Sequence, residues 1–114
     1  MGNIKVKTSG VALALLILGG PVSAWSDADR RKVAMELGSL LSSQGACSLS
    51  FNKNAVTKYI EDRVPASDMG FGASLMLHTN ESQVQYQYDR MSTPSRSTHC
   101  NAIVRTARHY GFIN

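Results

Sequence analysis

Apolar residues recur every three or four positions over most of the chain. Val33, Leu37, Leu40 and Leu41 fall at i, i+4, i+7 and i+8, one stripe of a 3.6-residue period, and Ala34 widens it. Arg30, Arg31, Lys32 and Glu36 lie mostly off that stripe. Ser26-x-x-Asp29 supplies a capping-box start, and Ser42, Ser43 and Gly45 supply a stop. A second helix is predicted by Ala55, Val56, Tyr59, Ile60 and Val64, with Ser50 or Asn52 as its cap and Pro65 as its end.

A third segment is expected to open at Ser67, with Asp68 in its first turn. Met69 to Leu77 carries no charge and is the most apolar stretch beyond residue 24. Gly70, Gly72, Ala73 and Ser74 are small enough for a neighbouring helix to approach closely. That contact would have to offset roughly 1 kcal/mol per helical glycine. Gln83 to Tyr88 then alternates polar and apolar with period two, a strand signature in isolation. No second strand exists to pair with it, and a lone strand leaves its backbone groups unsatisfied. The expectation is a helix continued or restarted through about residue 91, with an edge strand that recruits a partner as the alternative.

Thr93-Pro94 predicts the start of a last helix, with Cys100, Ile103, Val104 and Ala107 on its apolar face. Gly111-Phe112 predicts a glycine stop with an apolar contact behind it. Four stripes, each needing cover, imply an all-α protein: a small four-helix bundle or orthogonal helical array.

The first 24 residues read differently. Lys5 and Lys7 precede the apolar run Val11 to Leu18, which Gly19, Gly20 and Pro21 break before Val22-Ser23-Ala24. That order is a secretory signal peptide. Eight residues at 1.5 Å each span about 12 Å, far short of a bilayer core of about 30 Å. Residues 1–24 are therefore assigned to a cleaved leader and residues 25–114 to a single helical domain. Formal charge falls from +4 for the whole chain to +2 without the leader's two lysines, too little to imply nucleic-acid binding.

Export gives the two cysteines a meaning. Cys47 and Cys100 are the only pair, do not form C-x-x-C, and are expected to be disulfide-bonded in an oxidising compartment. Closing so long a loop is worth roughly 4 kcal/mol in the chain-entropy treatment.

Catalytic motifs are not found. There is no G-x-S-x-G, P-loop or H-E-x-x-H. His78 follows a buried-looking run and reads as a boundary histidine rather than a catalyst, His99 could join Cys47 and Cys100 in a metal site but adjacent residues of a helix face different directions, and His109 suits a helix C-terminus. Met69, Met76 and Met91 with His78 are donors that suit Cu(I), but core packing accounts for the methionines as well. No metal or cofactor is expected. Two candidate surfaces remain. Gln83, Gln85, Tyr86, Gln87, Tyr88 and Arg90 combine tyrosines with amides, as contact surfaces do. Arg96, Arg105, Arg108 and His109 form a basic group on the last helix that could meet an acidic partner or, weakly, an anionic membrane surface.

The expected function is that of a small exported protein, periplasmic or secreted. It would act without catalysis through an unidentified protein partner, as an accessory, stress or inhibitor factor. A metal or small-ligand carrier and a small hydrolase are the alternatives. The layout of leader, short helical domain and one wide disulfide is similar to that of small acid-stress chaperones of the bacterial periplasm, in outline only and with no shared motif.

Overall fold

The computed structural model describes residues 24–114. The leader assignment lies outside the described residues except for Ala24. Among the described residues the protein is all-helical, with five helices: α1 Asp27–Ser42, α2 Lys53–Arg63, α3 Phe71–Leu77, α4 Glu81–Asp89 and α5 Thr93–His109. The third sequence segment is two short helices, α3 and α4, and the alternating stretch Gln83 to Tyr88 is helical. No helix among the described residues is long and apolar enough to cross a membrane.

The helix ends follow local chemistry. Ser26 and Asp29 form a reciprocal capping box on α1. The Asn52 side chain accepts from the Ala55 N–H at 2.9 Å, so Asn52 caps α2. The cap of α5 is Ser92, one residue before the expected Thr93, which places Pro94 inside the first turn. At the far end Gly111 adopts φ +79°. The Phe112 N–H reaches the Ala107 carbonyl at 2.8 Å and the Gly111 N–H reaches that of Arg108 at 3.0 Å, a Schellman stop.

Two apolar clusters hold the helices together. Leu37 and Leu40 of α1, Phe51, Tyr59 of α2, Ile103 and Ala107 of α5, and Phe112 form the larger. Ala34, Val64 and Phe71 form the smaller, with Trp25, Ile60 and Leu75 packed on it. The Cys47–Cys100 disulfide ties the turn after α1 to the middle of α5, with Cα atoms 5.4 Å apart.

Two sequence expectations change. The helix does not open at Ser67: Asp68 instead lies in the loop before α3 and gathers donors from across the chain. Trp25, whose place at the edge of the domain would let it stand exposed, is half-buried and donates its indole N–H to Asp68. Arg30 approaches the same carboxylate through Nη2 at 2.7 Å and Nε at 2.9 Å, and the Gly70 N–H donates at 3.0 Å. The carboxylate is 3% exposed. Arg30 first, with help from Trp25 and Gly70, holds its pKa down to about 2 against the cost of burial.

The close approach expected through the glycines of the third segment also occurs elsewhere. Gly72 and Ala73 are exposed. The tight crossing of α1 and α3 runs through Gly38, where a Cβ would stand 2.7 Å from the carbonyl carbon of His78.

Candidate interaction surfaces

Helix α4 is the least embedded element and has no buried residue. It is held at its ends. Asn80 caps its start by accepting from the Gln83 N–H at 3.0 Å, while the Asn80 N–H donates to the buried Ser42 hydroxyl at 2.8 Å. Its last carbonyls, on Tyr88 and Asp89, receive Arg96 Nε at 3.1 Å and Nη2 at 2.9 Å. A guanidinium at a helix C-terminus also complements the helix dipole.

This anchoring sorts the residues of the first candidate surface. Gln83, Gln85, Tyr86, Gln87 and Arg90 are exposed, and Tyr88 is half-buried. Tyr86 is 54% exposed, carries the Arg90 guanidinium 3.5 Å from its ring centroid, and borders a groove of about 450 Å³ between α4 and the end of α1. Tyr88 faces inward, with Arg96 5.0 Å from its centroid and the His99 ring 6.4 Å away. Gln85 is turned along its own helix, donating to Asp89 at 2.9 Å. Thus Tyr86 and Arg90 form the outward half of this surface, and Tyr88 belongs to the α4–α5 contact.

The basic group also divides. Arg105, Arg108 and His109 are exposed and share a face of α5 by their spacing. Arg96 is half-buried at the opposite side of the helix and engaged with α4. Arg108 reaches the C-terminal Asn114 carbonyl at 3.2 Å. The residues that share a surface are therefore three, next to a pair of tyrosines that sequence reasoning did not single out. Tyr59 and Tyr110 both donate to the Glu36 carboxylate, at 3.0 Å and 3.2 Å, and Arg63 lies over both rings. Burial, then the bond to Glu36, pushes the Tyr59 hydroxyl well above the usual tyrosine range. The offset of 23 and 74 residues from Glu36 hides this cluster from any local pattern.

No protein-family model, curated protein or solved structure matches the chain. The chemistry of its side chains must therefore stand alone. Among the described residues no group of three or more His, Cys, Asp or Glu is placed to hold a metal ion. A serine–histidine pair does exist: Ser43 Oγ lies 3.3 Å from His99 Nε2. That serine is buried and its hydroxyl donates to the Ser39 carbonyl at 2.9 Å. The hydroxyl proton is thus engaged away from the imidazole, and Ser43 is built as a helix-end tie. His78 caps α3 and packs its backbone on Gly38.

The methionines give the clearest departure from the sequence reading. Core packing does not account for Met69 and Met76, which are 89% and 78% exposed; Leu77 beside them is 83% exposed. Around α3, Phe71 is buried against α1 and α2, and Ser74, Leu75 and His78 are half-buried. At 100° per residue the remaining arc holds Gly72, Ala73, Met76 and Leu77, with Met69 in the preceding turn. The outer face of α3 is wholly apolar and turned to solvent. Its sequence signal was a continuous apolar run in which both faces of a short helix are hydrophobic.

Proposed function

We propose that this chain is a small exported helical protein, periplasmic or secreted, that acts by binding another polypeptide rather than by catalysis. The observation that carries this reading is the outer face of α3, where Met69, Met76 and Leu77 stand at least 78% exposed beside Gly72 and Ala73. Large apolar side chains grouped on one face mark contact sites more often than scattered ones do. Methionine suits such a site because its unbranched thioether adapts to the partner's shape. The exposed Tyr86–Arg90 pair on α4 adds a second, more polar contact surface. The disulfide and the leader pattern support an oxidising compartment.

The test is affinity capture from the exported fraction by the protein expressed with its own leader. It is run beside the Met76→Lys, Leu77→Lys double variant. Both side chains are outside the core, so far-UV circular dichroism and thermal midpoint should be preserved. Binding of the captured species should fall by about tenfold or more. Undiminished capture by the double variant would remove α3 from the reading.

A further inference from the structure

We propose that the cleft between the C-terminal ends of α2 and α5 is a binding site for a monocarboxylate, with the Arg63 guanidinium as its anchor and the rings of Tyr59 and Tyr110 as the platform that holds it.

Arg63 differs from the other arginines in how it is held. Arg30, Arg90, Arg96 and Arg108 each donate to a carboxylate or a backbone carbonyl. Arg63 donates to no oxygen among the described residues, and the ion pairs there use Arg30 and Lys58. Its guanidinium carbon instead lies 4.0 Å from the ring centroid of Tyr59 and 5.0 Å from that of Tyr110. Arg31 and Arg105 also lack an acceptor among the described residues, but neither is stacked on a ring there.

The platform is rigid. Tyr59 is 4% exposed, and the two rings meet edge to face with centroids 4.7 Å apart. Both hydroxyls are committed to the Glu36 carboxylate, which pins each ring at its far end. An aromatic face attracts a cation through the ring quadrupole. Stacking occupies the face of the planar guanidinium and leaves its N–H edge, whose fork matches the two oxygens of a carboxylate. The side chain is thus ordered before a ligand arrives, which removes part of the entropic cost of binding.

The surroundings fit a single negative charge. The cleft encloses about 390 Å³ and is lined by Lys58, Asp62 and His109 beside Arg63 and the two tyrosines. Small-molecule sites run from about 300 to about 1,000 Å³. Lys58 and Asp62 pair at 2.9 Å and offset each other. Among the charged side chains of the cleft wall, Arg63 alone is left without a counter-charge. A ligand with a second negative charge would meet no second free cation and would be repelled by Glu36 and Asp62. Helix C-terminal ends disfavour anions. Here the Ile60 carbonyl is taken by the Val64 N–H, and those of Ala107 and Arg108 by Phe112 and Gly111. Arg108 and His109 stand in the last turn of α5.

The experiment is an NMR titration of the disulfide-bonded exported protein at neutral pH, following backbone amides and arginine Nε–H groups. The probes are benzoate, inorganic phosphate and one short peptide in three forms: free C-terminal carboxylate, C-terminal amide, and amide with an internal glutamate. Benzoate should shift the Arg63 Nε–H and the Gly111 amide along one saturable curve, with Kd on the order of 1 mM. Arg63→Met should weaken binding by about tenfold or more. Arg63→Lys keeps the charge without the fork and should weaken it several-fold; it carries the comparison if Arg63→Met lowers the thermal midpoint. Arg105→Met should bind as the wild type does, which separates the cleft from the general basic character of α5. The Met76→Lys, Leu77→Lys variant, altered only on α3, should also bind normally, so this site and the α3 contact surface stand or fall separately. The peptide forms assign the source of the carboxylate. Binding of the free-acid form points to a chain terminus, binding of the glutamate form to an acidic side chain, and binding of benzoate alone to a small organic acid; each supports the site. Phosphate that binds as tightly as benzoate overturns the proposal, as do shifts that never saturate or that persist unchanged in the Arg63 variants.

Discussion

Gly38 in α1 and His78 at the end of α3 meet backbone to backbone. This contact lets α3 lie down on α1, so that Phe71 reaches Ala34 and Val64 while Met76 and Leu77 turn outward. Gly38→Ala would gain up to about 1 kcal/mol in helix propensity. It would also force a Cβ into a carbonyl group that cannot rotate away. Overpacking of that kind costs about 1–3 kcal/mol, so the net effect is a loss of stability. Gly72→Ala is the control, since it adds the same methyl in open space on a helix face. Thermal or urea melts at low protein concentration should give opposite signs for the two variants.

The disulfide is the longest covalent tie in the domain, joining residues 53 apart in sequence. The helices it links contribute Leu37, Leu40, Ile103 and Ala107 to the same core. Its removal therefore acts mainly on the unfolded chain, which becomes free to expand. Cys47→Ser or Cys100→Ser should cost about 2–5 kcal/mol. For a domain of this size that corresponds to a fall in thermal midpoint of about 10 °C or more. Reducing agent should lower the wild type to the same midpoint and leave the variants unmoved. A wild-type midpoint indifferent to reductant would show that the bridge contributes nothing.

What the sequence revealed divides by range. Periodicity located α1, α2 and α5, and the Ser26 box and the Gly111 stop lay within a few residues of the helices they end, where local chemistry suffices. The Cys47–Cys100 bond was legible because two cysteines leave one pairing. Asp68 was misplaced because an acidic residue after Ser67 looks the same whether it starts a helix or collects Arg30 and Trp25 from forty residues away. Gly38 carries a local signal: a glycine in the middle of a strong helix needs a reason, and here the reason is the His78 backbone. The outer face of α3 was hidden because a run apolar all round does not say which side is covered. The tyrosines of α4 look alike in the sequence, yet only Tyr86 faces out, since Arg96 lies across Tyr88.

The Asp68 cluster predicts acid behaviour. An unperturbed aspartate titrates near 3.9, and Asp68 is held to about 2, chiefly by Arg30. A depressed carboxylate pKa means that the folded state binds the proton less readily than the unfolded state. Its stabilising contribution is complete above about pH 4 and is lost as pH falls toward 2. Asp68→Asn should therefore have a lower midpoint than the wild type at neutral pH, and the gap should close through that window. Trp25 is the only tryptophan and donates to this carboxylate, so intrinsic fluorescence reports the same transition. A gap that persists unchanged at pH 2 would assign the effect to shape rather than charge.

Tyr86 and Tyr88 lie two residues apart and predict opposite outcomes on serine substitution. Tyr86 is 54% exposed and touches Arg90 of its own helix. Tyr86→Ser removes contact area at the α4 groove and should leave the thermal midpoint within the scatter of ordinary surface changes, about 0.5 kcal/mol. Tyr88 is half-buried where α4 meets α5, with Arg96 bonded to its carbonyl and near its ring. Tyr88→Ser should loosen that junction and cost about 1–3 kcal/mol, the usual range for an anchored side chain. Arg96→Met should move stability in the same direction by freeing the last carbonyls of α4. A binding measurement against a partner captured from the exported fraction should rank the variants in reverse: Tyr86→Ser weakens the complex while Tyr88→Ser, once corrected for the folded fraction, does not. Equal binding by wild type and Tyr86→Ser would confine partner recognition to other faces of the molecule.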